Sequence, residues 1–155
     1  MKTSLFLFIS AFLFLGNAKA QQVYTWDEYG ISFTLADDFK ESVNNIDEFS
    51  ATGDGMELAI IPFKDETIDD TDINAYTMSI AASLKLQRVD DISVIDFNGF
   101  KGGYAEGALD GARIFIMGLI DPTSDTNFFV IITFLDDDKN ASEEAVNICK
   151  KKKKI

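Results

Sequence analysis

Chemistry in this chain has to come from carboxylates. Of its 155 residues, 26 are Asp or Glu and none is His. Asp65, Glu66, Asp69, Asp70 and Asp72 gather in one stretch and Asp136, Asp137 and Asp138 in another. Hard cations such as calcium use oxygen-rich segments of this kind to fill about six to eight ligand positions. Asp69, Asp70 and Asp72 are therefore the metal candidates. Neither stretch has the spaced aspartates, central glycine and closing glutamate of a helix-loop-helix calcium loop. The first has a second explanation, since negative charge is favoured at the N-terminus of a helix expected to begin at Asp72. Zinc fits poorly, with no His and a single Cys. Two carboxylates a few ångströms apart can divide the acid and base roles of a hydrolase, a reading open to any acidic chain. A Ser or Cys nucleophile would lack the imidazole base that usually activates it.

Other residue types point toward contact rather than catalysis. Gly99, Gly102, Gly103 and Gly107 lie within a hairpin and not between a strand and a helix N-terminus, so they read as turn and bulge positions and not as a phosphate cradle. Gly102 and Gly103 also permit close approach of a partner backbone. Tyr24, Trp26 and Tyr29 precede the first regular strand and alternate with Thr25, Asp27 and Glu28. They are either exposed anchors for a protein partner or packing over a sheet edge. These five residues are the partner-contact candidates. Cys149 cannot form an internal disulfide, being the only cysteine, and reads as a buried helical residue. No cofactor is expected.

The first twenty residues have the layout of a cleavable secretory leader: Lys2, an apolar run from Leu5 to Leu15, and Ala18-Lys19-Ala20 before Gln21. That run falls short of the roughly 20 apolar residues that span a bilayer. The expectation is an exported chain, periplasmic or extracellular, that starts at Gln21. Two of the 14 basic residues, Lys2 and Lys19, leave with the leader, so 12 face 26 acidic ones and the formal charge is −14. A surface so acidic argues against nucleic acid and favours cationic partners. Lys150 to Lys154 form a C-terminal lysine tail, read as a solvated terminus or as a contact with anionic lipid.

Residues 21–149 read as one domain, for there is no linker or repeat and only Pro62 and Pro122 interrupt the chain. Val23 to Trp26 is an extended lead-in, and Ile31-Ser32-Phe33-Thr34-Leu35 alternates as a half-buried strand. A strand over Ile46 to Ala51 turns at Gly53-Asp54-Gly55 into Met56 to Ile61, which Pro62 is expected to close. From Asp72 to Gln87 the period changes to that of a helix, with Ile73, Tyr76, Ile80 and Leu84 as its apolar stripe. Ile92 to Phe97, Phe100 to Leu109 and Ala112 to Ile120 form a meander through turns at Asn98-Gly99 and Asp110-Gly111. After a loop over 121–127, the apolar run Phe128 to Leu135 reads as a central strand. Ser142 is the expected cap of a closing helix whose apolar face is Ala141, Ala145, Ile148 and Cys149. The fold class is α+β, a largely antiparallel sheet of about six to seven strands with helices packed on it as an α/β/α sandwich.

This order resembles the PsbP-like, Mog-like and DcrB-like α/β/α sandwich superfamily. The likeness is carried by Tyr29-Gly30-Ile31-Ser32-Phe33-Thr34-Leu35, by Asn98-Gly99-Phe100-Lys101-Gly102-Gly103-Tyr104 and by the terminal helix. Where such proteins often place a proline after the first core strand, this chain has Ala36. The resemblance implies a fold whose members bind other proteins or serve as accessory envelope subunits. The resulting expectation is an exported, non-enzymatic binding or accessory module of the cell envelope, acting on a protein or small ligand. A calcium-binding envelope protein and a hydrolase with a carboxylate pair stand as alternatives.

Overall fold

The computed structural model describes residues 20–64, 72–90, 93–97, 99–135, 138–150 and 153–154. Within these residues, ten strands and two helices follow in the order β1 (Gln21–Trp26), β2 (Ile31–Ala36), β3 (Lys40–Asn44), β4 (Phe49–Gly53), β5 (Met56–Lys64), α1 (Ile73–Ser83), β6 (Ser93–Phe97), β7 (Phe100–Leu109), β8 (Ala112–Ile120), β9 (Thr126–Leu135), α2 (Lys139–Lys150) and β10 (Lys153–Lys154). Seven strands make an antiparallel sheet in the order β3-β4-β5-β9-β8-β7-β6. The fold is thus α+β, as the pattern of elements predicts. The lead-in is itself a strand, and β1, β2 and β10 form a separate small sheet rather than part of the large one.

The main core lies between one face of the large sheet and the layer made by β1, β2 and α2. Phe49, Phe115, Met117, Phe128 and Ile132 from the large sheet meet Trp26, Phe33 and Leu35 from the small one. Alternation puts these residues on one side: in β9 the buried Phe128, Val130, Ile132 and Phe134 are two apart. As expected, β9 is central, hydrogen-bonded to β5 and β8. α2 closes the layer with Ala141, Ala145, Ile148 and Cys149 inward. Among the described residues no helix is long and apolar enough to cross a membrane.

Local chemistry accounts for most of the turns. Asp54 and Gly55 both have positive φ, 50° and 74°, as do Asp110 and Gly111 at 51° and 85°, the requirement of a two-residue type I′ hairpin. Gly99 has φ 88°, and its expected turn partner Asn98 lies outside the described residues, as does Ile92. Gly53 is needed for another reason, because a Cβ there would stand 2.5 Å from Phe39 Cα.

Five expectations are corrected. β5 runs through Pro62 to Lys64, because pairing with β4 ends at Phe49–Ile60 and the missing N–H falls where no neighbour needs it. The strand expected over Ile46 to Ala51 starts only at Phe49, with Ile46 left exposed. α1 stops at Ser83, where Lys85 turns left-handed (φ 58°), Leu86 N–H reaches Ala81 O (3.1 Å) and Lys85 N–H reaches Ala82 O (3.0 Å). Asp72 stands at the N-cap but makes no side-chain capping bond. α2 begins before Ser142, because Asp138 Oδ1 accepts the N–H groups of Asn140 (3.0 Å) and Ala141 (3.1 Å).

The buried line of α1 is Ile73, Thr77 and Ala81, one step round from the expected stripe. It lies on the back of the large sheet at Gly103 and Gly118, which are cross-strand partners. A Cβ on Gly118 would stand 3.0 Å from Ile73 Cδ1, and one on Gly103 3.1 Å from Asn74 Oδ1. Because neither glycine carries a side chain, Ile73 and Thr77 seat directly on the sheet there, with Ala81 next along the buried line. The Thr77 hydroxyl lies 2.8 Å from Ile73 O and 3.1 Å from Gly103 O.

Candidate functional site

Three distant segments build a cleft of about 290 Å³ at one end of the large sheet. Glu28 and Tyr29 come from the short 3-10 turn after β1, Phe100 from the start of β7, Asp121 and Ser124 from the connection between β8 and β9, and Thr126 from the start of β9. Ile31 and Phe128 complete the lining. The floor is aromatic: the rings of Tyr29 and Phe128 meet edge to face at 5.4 Å, and those of Phe100 and Phe128 at 6.1 Å.

The polar wall is held in place by its own loop. Asp121 Oδ1 accepts the Thr123 N–H (2.9 Å) and the Thr123 hydroxyl (2.8 Å). Asp121 N–H donates to Asn127 Oδ1 (3.2 Å), and Thr126 N–H to Ser124 Oγ (3.0 Å). Asp121 and Asn127 are 5% and 3% exposed, so the loop carries two polar side chains into the protein and satisfies them locally. Beside it, Lys64 and Asp125 form an exposed ion pair at 3.4 Å.

Tyr24, Trp26 and Tyr29 act as staples between the small sheet and the segment around β3. Their polar atoms donate to the carbonyls of Phe39 (2.8 Å), Asn45 (2.7 Å) and Ile46 (2.7 Å) respectively. Tyr24 and Trp26 are buried, so of the two readings packing holds for them and exposed anchors do not: alternation along β1 turns both rings into the core. Of the three, Tyr29 is the one that lines this cleft. Burial pushes the Tyr24 hydroxyl above the usual tyrosine pKa, helped by the negative charges of Glu41 and Asp38. Burial likewise raises Tyr29, with Asp47 and Glu28 adding to the rise and Lys64 opposing it.

Gly102 and Gly103 are buried too, and Gly103 meets the chain's own α1 rather than a partner backbone. Among the metal candidates, Asp72 is exposed, while Asp69 and Asp70 lie outside the described residues. The same holds for Asp136 and Asp137, whereas Asp138 serves as the α2 cap. Asp54, Asp138 and Glu144 line a smaller polar hollow of about 130 Å³. Among the described residues no group of three or more His, Cys, Asp or Glu is placed to hold a metal ion. Lys153 and Lys154, expected in a solvated tail, pair along β2 with Ser32 and Ile31.

Sequence reasoning does not single out Glu28, Phe100, Asp121, Ser124, Thr126 or Phe128 as a site. No linear signal marks them, because they meet only through the sheet register and the docking of the small sheet.

No protein-family model matches the chain, and no curated protein matches its sequence. Solved structures do. The cyanobacterial PsbP (CyanoP) of Synechocystis sp. PCC 6803 superposes with a TM-score of 0.61 at 10% identity, over 90% of this chain and 96% of that one. The Ran-binding protein Mog1p of Saccharomyces cerevisiae gives 0.60 at 8% identity, over 88% and 96%. LpqN of Mycobacterium tuberculosis, involved in cell envelope biogenesis, gives 0.56 at 13% identity, over 86% and 90%. At these identities the likeness is one of fold, and the chain has the PsbP/Mog1/DcrB-like fold.

Proposed function

We propose that this protein is an exported, non-enzymatic binding module of the cell envelope whose contact site is the cleft between Tyr29 and the β8–β9 loop. The observation that carries the reading is the cleft's construction. Its aromatic floor and its polar wall come from separate segments, and Asp121, Ser124 and Tyr29 are each held by hydrogen bonds within the protein, a preorganised surface of the kind that binding rewards. Two structural neighbours are described through contact or envelope roles, Mog1p as Ran-binding and LpqN in envelope biogenesis. Export rests on the leader read over residues 1–20. Cleavage after Ala20 would leave β1 whole and, among the described residues, would remove the hydrogen bond from Asp37 N–H to Ala20 O (3.1 Å).

The test places a photo-cross-linking amino acid at Ser124, on the rim of the cleft, or at Val94, exposed on β6, in cells of the source organism. Envelope material trapped from Ser124 and absent from Val94, on a chain whose mass begins at Gln21, is the expected result. Equal labelling at both positions, or a product that retains the leader and stays inside the cell, overturns the reading.

A further inference from the structure

The lining of the cleft is selective about charge. Glu28 and Asp121 are its ionisable groups apart from the Tyr29 phenol, and no Lys or Arg lines it among the described residues. An anion is therefore disfavoured on entry, in a chain whose overall field is already negative. A bare metal ion fits no better. Much of the wall is ring and aliphatic carbon from Phe100, Phe128, Tyr29 and Ile31, which offers no ligands to an ion that wants about six oxygens. What suits carboxylates beside aromatic faces is a cation with a carbon stem. Its charge meets the carboxylates, its stem covers the rings, and a ring face adds an attraction of its own. Size agrees: ligand pockets for drug-sized molecules run from about 300 Å³ upward, so about 290 Å³ suits one side chain or a small molecule.

We propose that the cleft binds one organic cation, an alkylammonium or guanidinium group, with its charge at Glu28 and Asp121 and its stem over Tyr29, Phe100 and Phe128. This rests on the cleft being the contact site. Asp121 stays anchored by Thr123 and supplies a fixed negative wall, while Glu28, exposed on its turn, closes over the bound group. The source is a partner's arginine or lysine side chain, or a free amine or guanidine of the same chemistry.

The experiment is an amide NMR titration of the protein purified after export, with acetyl-arginine-methylamide and its neutral isostere acetyl-citrulline-methylamide. Saturable shifts at the amides of Glu28, Tyr29, Ser124 and Thr126, with the citrulline compound at least tenfold weaker, are expected. Glu28→Gln, an exposed position that leaves the fold intact, should weaken the arginine probe at least threefold, and Glu41→Gln should not. Because Lys153 and Lys154 pair beside Ile31, the titration is repeated on a chain with K153Q and K154Q, where unchanged or tighter binding supports the site. A capped Gly-Arg-Gly peptide that binds more tightly than butylguanidinium marks a protein partner as the source, and equal binding marks a small molecule. Equal affinity for arginine and citrulline, or non-saturating shifts spread over the acidic surface, overturns the inference. A partner still cross-linked at Ser124 in that case would leave the binding-module reading standing.

Discussion

Tyr24 and Tyr29 show how a single hydroxyl ties two sheets together and what that costs at high pH. Each donates to a backbone carbonyl across the junction, and each has its pKa raised, first by burial. In the unfolded chain both ionise near pH 10 (about the free tyrosine value), while in the folded protein they hold their protons longer. Above that pH the folded state binds more protons than the unfolded one, so stability is fully present below about pH 10 and falls as pH rises through the folded pKa values. Thermal unfolding from pH 8 to 11 should show this fall, and the Tyr24→Phe, Tyr29→Phe double variant should show a shallower one. At pH 8 the same variant should be less stable by about 1–3 kcal/mol, from two lost hydrogen bonds of roughly 0.5–1.5 kcal/mol each. An alkaline slope identical in both proteins would show that these phenols do not carry it.

Between residue and fold stand the elements, and here the sequence is readable in proportion to how local the determinant is. The hairpins at Asp54-Gly55 and Asp110-Gly111 are legible because positive φ is a demand on two adjacent residues. β3 is not, because it is an edge strand with a bulge between Glu41 and Val43 and no buried face to impose alternation. The inward face of α1 lies one step from the expected one because Gly103 and Gly118, more than twenty residues onward, decide which of its residues fit. Substitution on either side of that seam tests it. Thr77→Val removes the hydroxyl at Gly103 O and should lower stability by about 1–2 kcal/mol by chemical denaturation. Gly118→Ala should cost roughly 1–3 kcal/mol by overpacking against Ile73, and an unchanged midpoint in both would mean that α1 is not seated there. At α2, Asp138→Ala should cost about 1 kcal/mol. Ser142→Ala should leave the helix start untouched and act instead through Glu106, whose Oε1 the Ser142 hydroxyl meets at 2.5 Å. Helix-specific amide exchange in the first turn separates the two.

At the scale of the molecule, net charge sets the behaviour of the surface. The chain carries a formal net charge of −12, and the half-buried Arg113 bridges Glu106 (3.2 Å) and Asp90 (2.6 Å). Composition makes this acidity legible at once, whereas the cleft is invisible in the sequence because its walls come from residues 28, 100 and 121–128 and meet only after folding. Like charges spread over one surface repel in the compact state more than in the expanded one. Their range shrinks from about 30 Å at 0.01 M salt to about 8 Å at 0.15 M. Raising NaCl between those concentrations should therefore stabilise the protein, by about 1 kcal/mol or roughly 3–5 °C in Tm. A flat or falling Tm would mean that the ion pairs outweigh the repulsion. The same measurement separates screening from a site: at matched ionic strength, magnesium and calcium should raise Tm equally if the acidic stretches only repel. A calcium excess that disappears in Asp69→Asn, Asp72→Asn would instead locate a calcium site in the segment before α1. Equality would mean that both ions act on the acidic stretches by screening alone.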